Sequence, residues 1–388
     1  MSGFSNIGDQ LRDREQQGLY RRRRIISSPQ GRELTVDGKQ LLNFCSNDYL
    51  GLAGDTRVRK AFRLAVDEWG VGSGASHLVS GHTRAHAQLE EALAEFTGRP
   101  RCLLFSSGYA ANMGAINALL TTTDHVFEDR LNHASLLDGG RISGARFKRF
   151  THRDVNDLDN KLAEVAESTT RKLVISDGTF SMDGTTCDID ATAEVTRKHG
   201  AWLMLDEAHS LGVLGKRGCG LVDPELLGTS DVQILIGTLG KALGTQGGFV
   251  AGDEELIETL IQQARTYIYS TALPSAVAMA TLTSLKIAAD EEWRRERLRE
   301  LVQRFRAGAE QLSLELLDST TPIQPIVLGD AKRAVQLSTA LEDQGLLIAA
   351  IRPPTVPAGT SRLRITFTAE HTDEDLDRLL TALERVTT

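Results

Sequence analysis

Between residues 84 and 97 the apolar positions Leu89, Leu93 and Phe96 recur three to four apart. That spacing gathers them on one face of a helix, and Gly98 supplies its stop. Beyond it come short apolar runs: Arg101–Phe105, His125–Glu128, Leu173–Ser176, Trp202–Leu205 and Val232–Ile236. Runs this short and this apolar predict strands buried on both faces. Helical stretches fall between several of them, for example Ala191–His199, ending at Gly200. Strands alternating with helices need crossover connections, and therefore a mainly parallel sheet.

Toward the two ends the texture changes. Residues 5 to about 20 predict a polar amphipathic helix running into Arg21-Arg22-Arg23-Arg24. A run of four arginines reads either as a solvated helix end or as a localisation or nucleic-acid patch. After about residue 290 a long charged helix (Glu291–Leu314) leads to a strand at Ile323–Leu328 and a helix around 332–345. Strands at Leu347–Ile351 and Arg362–Phe367 and a last helix follow, which predicts a smaller α+β lobe. The expected division is an N-terminal arm at 1–44, a large α/β domain at 45–285 and a C-terminal α+β domain at 286–388.

Composition narrows the classes. With 388 residues, 41% hydrophobic and 25% charged, the chain is globular and long enough for two or three units. A net charge of −8 argues against a nucleic-acid protein but leaves room for a local basic pocket. Cys45, Cys102, Cys187 and Cys219 are scattered without a CxxC pair, so neither a disulfide framework nor a zinc site is expected. The chain opens without an apolar leader and has no 18-residue apolar stretch, so a soluble, cytoplasmic protein is expected. The 35 glycines exceed the usual share and fall in clusters.

Some of those clusters mislead. Gly70-Val71-Gly72-Ser73-Gly74-Ala75 partly fits a dinucleotide fingerprint, but Ala65–Trp69 before it reads as a helix end rather than a strand. Gly240-Lys241 lacks both the following Ser/Thr and the earlier glycine of a phosphate-binding P-loop, since Ala242 and Leu235 stand there. His82 and His86 are four apart without the residues of a zinc-protease helix, which leaves a solvated or capping role. No metal site is expected, and no GxSxG elbow supports a serine hydrolase.

Two strand ends carry the chemistry. Trp202–Leu205 runs into Asp206-Glu207-Ala208-His209, and Val232–Ile236 into Gly237-Thr238-Leu239-Gly240-Lys241-Ala242-Leu243-Gly244. Ligands of open α/β sheets bind beyond the carboxyl ends of strands. An aspartate there could equally cap a turn. Paired with a glycine-flanked lysine on another strand, it points to pyridoxal phosphate. The lysine would hold the aldehyde as a Schiff base and the aspartate would pair with the pyridinium nitrogen. Ser106-Ser107-Gly108-Tyr109-Ala110-Ala111-Asn112 follows a strand and opens a helix, an arrangement that aims N–H groups at a phosphate. Thr238 adds a hydroxyl beside the lysine, and His133, just past His125–Glu128, can stack on the ring or be an ordinary loop histidine.

At this point the motifs resemble those of the α-oxoamine synthases: Asn43-Phe44-Cys45-Ser46-Asn47-Asp48-Tyr49-Leu50-Gly51-Leu52, Gly72-Ser73-Gly74-Ala75-Ser76 with Val79-Ser80-Gly81, Phe180-Ser181-Met182-Asp183-Gly184, Asp206-Glu207-Ala208-His209 and Thr238-Leu239-Gly240-Lys241-Ala242. The resemblance covers nearly the whole chain. It implies the pyridoxal-phosphate-dependent, aminotransferase-like fold (fold type I), and a reaction condensing an amino acid with an acyl-CoA while releasing CO2 and CoA. Ile351-Arg352-Pro353-Pro354-Thr355-Val356-Pro357-Ala358-Gly359-Thr360 and the arm Leu19-Tyr20-Arg21-Arg22 resemble the members that join L-alanine to a pimeloyl thioester in biotin synthesis. Glycine-using members remain an alternative, as does a non-catalytic pyridoxal-phosphate-binding protein.

The resemblance also implies roles. Lys241 carries the cofactor and, once freed, acts as base at Cα. An ordinary lysine, with a pKa near ~10.4, is a poor base at neutral pH, so burial and a cationic neighbour are expected to lower it. Asp206 pairs with the ring nitrogen, His133 stacks on the ring, and His209 and Ser181 hold the phenolic oxygen. Gly108, Tyr109 and Thr238 bind the cofactor, with Thr271 reaching the phosphate of a partner subunit in a homodimer. Arg364, assisted by Asn47, takes the α-carboxylate, since a guanidinium fork matches two carboxylate oxygens. Arg21, Thr355 and Arg352 meet the acyl substrate, and His133 also donates to the thioester oxygen. One departure is Asp177, where the family has a Glu four residues before the serine. The shorter side chain predicts a longer or water-bridged contact.

Overall fold

The apolar runs in the middle of the chain pair into one seven-stranded sheet. The computed structural model describes residues 4, 6–165 and 170–387. It divides into one unit of Leu52–Ser181 and Thr186–Arg295 and another of Met1–Gly51, Met182–Thr185 and Glu296–Thr388. The stretch up to Gly51 thus belongs to the same unit as the C-terminal part of the chain.

In the first of these units the strands are β1 (Arg101–Phe105), β2 (His125–Asp129), β3 (Arg146–Phe150), β4 (Lys172–Asp177), β5 (Trp202–Asp206), β6 (Ile234–Thr238) and β7 (Gly248–Gly252). Their spatial order is β1-β7-β6-β5-β4-β2-β3. Only β7 runs antiparallel to its neighbours, and because it does so to both β1 and β6, the other six strands all end on the same edge. Leu203, Met204, Leu205, Leu235 and Ile236 are fully buried, as expected of strands covered on both faces. The helix Gly108–Leu119 packs Ala111, Ala115 and Ile116 into the core with Leu136, Ile175 and Leu260. Each large aliphatic side chain buried this way contributes roughly 1.5–3 kcal/mol.

Two strands of this sheet were not anticipated. β3, Arg-Phe-Lys-Arg-Phe, mixes charged with aromatic residues because it lies at the sheet edge, where most of its side chains are only partly buried. β7, Gly-Phe-Val-Ala-Gly, is short and glycine-ended. The helix Arg84–Thr97 ends at Gly98, whose φ of 63° closes it in the left-handed conformation. His86 is buried in that helix's first turn, where its Nδ1 accepts from the Thr83 N–H at 3.0 Å, a capping role.

In the other unit, Glu33–Val36 and Lys39–Asn43 form an antiparallel hairpin, and Leu346–Leu347 adds in parallel, with Leu346 opposite Leu42. Phe44 continues the join: its N–H donates to Leu347 O and its carbonyl accepts from Thr366 N–H, both at 2.9 Å. A second sheet orders Ile323–Gly329, Ser361–Thr366 and Ala349–Ile351, all antiparallel. Phe44 stacks on His371 with centroids 4.4 Å apart, beside Phe367 and Phe305. The N-terminal helix spans Ile7–Gln16 and Gly18 turns the chain out of it at φ 69°, so the four arginines are not a helix end but part of a segment without regular secondary structure. Arg22 pairs with Glu15 at 2.7 Å, and Arg24 with Asp37 and both oxygens of Glu342. These ion pairs tie down two of the four charges within the chain.

All four cysteines are free thiols. Among the described residues no helix is long and apolar enough to cross a membrane, and no cluster of His, Cys, Asp or Glu is arranged to hold a metal ion.

Candidate active site

Asp206 is the last residue of β5, and Asp177, the last of β4, stands opposite it in the ladder. Asp206 is buried; its Oδ1 accepts from the Ala208 N–H at 2.9 Å and its Oδ2 from Asn112 Nδ2 at 2.7 Å. A carboxylate has about four lone-pair directions, so two bonds leave it able to accept from a further donor. The turn after β5 is locked by the buried Glu207, whose Oε1 accepts from the N–H groups of Leu221 and Val222 at 2.8 and 2.9 Å. Burial pushes the Glu207 carboxyl up to about 7. That turn delivers His209, whose Nε2 is 2.7 Å from Lys241 Nζ beyond the end of β6.

His133 follows β2 and is held by Asp177, which accepts its backbone N–H at 2.6 Å. Asp177 thus makes a direct, short contact with the His133 backbone. Burial and the neighbouring Asp206 charge raise the Asp177 carboxyl well above its ordinary range, while burial lowers the His133 imidazole. The ring is steadied by Ser135, whose Oγ is 2.7 Å from His133 Nδ1. Ser135 Oγ in turn receives Asn112 Nδ2 at 2.9 Å. Asn112 and Ser135 carry no role in the sequence reading. One signal was available: Asn112 sits in a helix with almost no polar face, and a buried amide there must find partners.

The helix Gly108–Leu119 opens at the same sheet edge, after β1. Ser107 caps it by accepting the Ala110 N–H at 3.1 Å. The first-turn N–H groups of Gly108 and Tyr109 lie at its positive end. A Cβ on Gly108 would lie 3.6 Å from Thr238 Cβ, which places the helix start against the end of β6. Gly248 makes this approach feasible, because a Cβ there would lie 2.5 Å from Gly108 N. The Thr238 hydroxyl donates to Gly247 O at 3.0 Å. Tyr109 is about half exposed and its hydroxyl donates to Asp138 Oδ2 at 2.6 Å. Ser181 follows the buried Phe180 and is itself partly exposed, and Thr271 is exposed in an isolated bridge with Ser76.

The remaining residues singled out from the sequence lie in the other unit. Arg364 is buried and its Nη1 donates to Thr366 Oγ1 at 2.9 Å while Nη2 donates to Asn47 Oδ1 at 3.1 Å. Arg21 Nη2 donates to Thr355 Oγ1 at 3.0 Å. Arg352 Nη1 donates to Gly18 O, and burial with Arg21 nearby lowers its guanidinium below the ordinary value.

The donor set of the sheet edge fits pyridoxal phosphate. Lys241 offers an amine for the aldehyde, Asp206 a buried carboxylate with capacity to spare for a ring N–H, and His133 a flat ring. The start of the Gly108–Leu119 helix offers its positive end to a phosphate.

Residues 39–383 match the family described as aminotransferase class I and II. The chain is 59% identical over 377 residues to the 8-amino-7-oxononanoate synthase of Nitrosococcus oceani, covering 97% of this chain and all of that one. It is 56% identical over 378 residues to the same enzyme of Pseudomonas putida, covering 97% and 96%. Among solved structures, the Sphingomonas wittichii serine palmitoyltransferase superposes with a TM-score of 0.94 at 30% identity, covering 100% and 98%. The 8-amino-7-oxononanoate synthase of Francisella tularensis does so with a TM-score of 0.78, also at 30% identity, covering 89% and 98%. The chain belongs to the class I and II aminotransferase family and, within it, to the group of 8-amino-7-oxononanoate synthases.

Proposed function

We propose that this enzyme uses pyridoxal phosphate to condense L-alanine with a pimeloyl thioester, carried by CoA or a carrier protein, giving 8-amino-7-oxononanoate with loss of CO2, a step of biotin synthesis. The observation that carries the reading is Lys241 beside His209 at one strand end with the buried Asp206 at the next. Relatives named for this activity at 56–59% identity over nearly the full length support it.

When bound, pyridoxal phosphate supplies an electron sink for negative charge developing at the amino acid's Cα. Lys241 would hold the cofactor through Nζ and, when its amine is free, would take the Cα proton. His209 and Ser181 would hold the cofactor's phenolic oxygen, Asp206 would pair with its ring nitrogen, and His133 would lie against the ring. Gly108, Tyr109 and Thr238 bind the phosphate end, with Thr271 contributing from a partner subunit of a homodimer. Arg364, oriented by Asn47, grips the α-carboxylate. Arg21, Thr355 and Arg352 receive the acyl substrate. His133 donates to the thioester oxygen, where charge grows as the new carbon–carbon bond forms. A cytoplasmic site of action fits this substrate set.

The test is turnover of L-alanine with pimeloyl-CoA, the product identified by mass. Product from glycine but none from alanine would move the chain to a different donor specificity.

A further inference from the structure

Each hydrogen between Asp206 and His133 can be assigned. The Asp206 carboxylate accepts, so the Asn112 amide must turn its nitrogen toward it; the reverse orientation would set oxygen against oxygen at 2.7 Å. The second Nδ2 hydrogen then points at Ser135 Oγ, 2.9 Å away. The Ser135 backbone N–H points at His133 Nδ1 at 3.3 Å, which makes that nitrogen an acceptor, and Ser135, having received the amide hydrogen, turns its own hydroxyl proton to it at 2.7 Å. Two donors aimed at Nδ1 leave it bare of hydrogen. The orientation leaves Asn112 Oδ1 buried without a partner, so nothing around the amide oxygen itself imposes it.

We propose that Asn112 is a positioning residue which, through Ser135, fixes His133 in the tautomer that carries its proton on Nε2. The relay makes the same carboxylate that meets the ring nitrogen also set the histidine as a donor from its far edge. This rests on the assignment of Asp206 and His133 to the cofactor pocket. Asn112 touches neither substrate nor cofactor in this scheme and acts only through its two neighbours.

The experiment is a long-range proton–nitrogen correlation spectrum of protein labelled with nitrogen-15 at histidine, recorded with and without pyridoxal phosphate, with His133→Asn assigning the signals. The wild type is expected to show a protonated Nε2 and a bare Nδ1. Ser135→Ala, which leaves Nδ1 only the long backbone N–H contact, and Asn112→Asp, able only to accept from Ser135, are expected to shift His133 toward Nδ1–H, and to lower kcat/KM about 10-fold, the size of one lost hydrogen bond. An unchanged Nε2–H pattern in both variants overturns the relay, and Ser135→Ala alone decides the matter if Asn112→Asp does not fold. The spectra without cofactor judge the relay by themselves. Addition of pyridoxal phosphate that leaves the wild-type His133 signals unmoved would instead count against the pocket assignment.

Discussion

Lys241 Nζ lies 2.7 Å from His209 Nε2, although the two residues are 32 positions apart and leave different strands. An ammonium only donates, so a charged Lys241 makes His209 Nε2 the acceptor and puts that ring's proton on Nδ1.

Replacing Lys241 with Ala should leave the fold intact and abolish covalent attachment of pyridoxal phosphate. After borohydride treatment, peptide mass spectrometry should find the cofactor on the Lys241 peptide of the wild type and on no peptide of the variant. A trapped cofactor on a different lysine would displace the assignment.

Arg364→Ala should raise the KM for alanine far more than that for the thioester. Loss of a charge-assisted hydrogen bond costs about 1.5–3 kcal/mol, which corresponds to a roughly 10- to 100-fold rise. Steady-state kinetics varying each substrate in turn would show it, and equal effects on both would place Arg364 elsewhere.

Gly248→Ala tests the close approach of β7 to the helix start. The added Cβ would meet Gly108 N at 2.5 Å and Ser107 C at 2.6 Å, both backbone atoms that yield only if the helix end moves. A cost of about 1–3 kcal/mol is expected from such overpacking, read from urea unfolding. Cofactor titration should show weaker binding as well. Undiminished affinity would mean that the helix start does not carry the phosphate.

His371 gives the enzyme a pH dependence of stability. It is buried, its Nδ1 accepts from the Thr368 N–H at 3.0 Å, and its Nε2 is 3.0 Å from Asn43 O, an arrangement that suits the neutral ring. Burial lowers its pKa to about 4. The folded value lies below the unfolded one of about 6.5, so the stability is fully present above about pH 6.5 and is lost as pH falls toward about 4. The full loss is about 3 kcal/mol at one pKa unit per ~1.36 kcal/mol. Urea midpoints at pH 7.5 and 5.5 should differ less in His371→Gln than in the wild type; an equal difference would assign the acid sensitivity to other groups.

The buried strands were legible because a strand covered on both faces must be apolar throughout, and β1, β2, β4 and β5 are nearly so. β3 and β7 escaped notice because an edge strand can carry Arg146, Lys148 and Arg149, and because glycines at 248 and 252 weaken any strand pattern. Asp206 and Lys241 could be singled out since each ends an apolar run. Asn112 and Ser135 could not, because their roles exist only once folding brings positions 112, 135 and 206 within hydrogen-bonding reach. The arginine run misled for a similar reason: Glu342, which takes both ends of the Arg24 guanidinium, and Thr355, which accepts from Arg21, are more than 300 residues away.

The pairing of Leu42 with Leu346, and of Phe44 with Leu347 and Thr366, has a consequence for biosynthesis. On the ribosome, residues 39–44 emerge about 300 positions before the segments that complete their sheet. The hairpin must therefore wait, with one edge open, while the seven-stranded sheet is made and folds. Contacts of such sequence separation form slowly, so the last stretch of the chain acts as the fastener for the first. A nascent chain halted before residue 346 would leave that edge unpaired and exposed to aggregation.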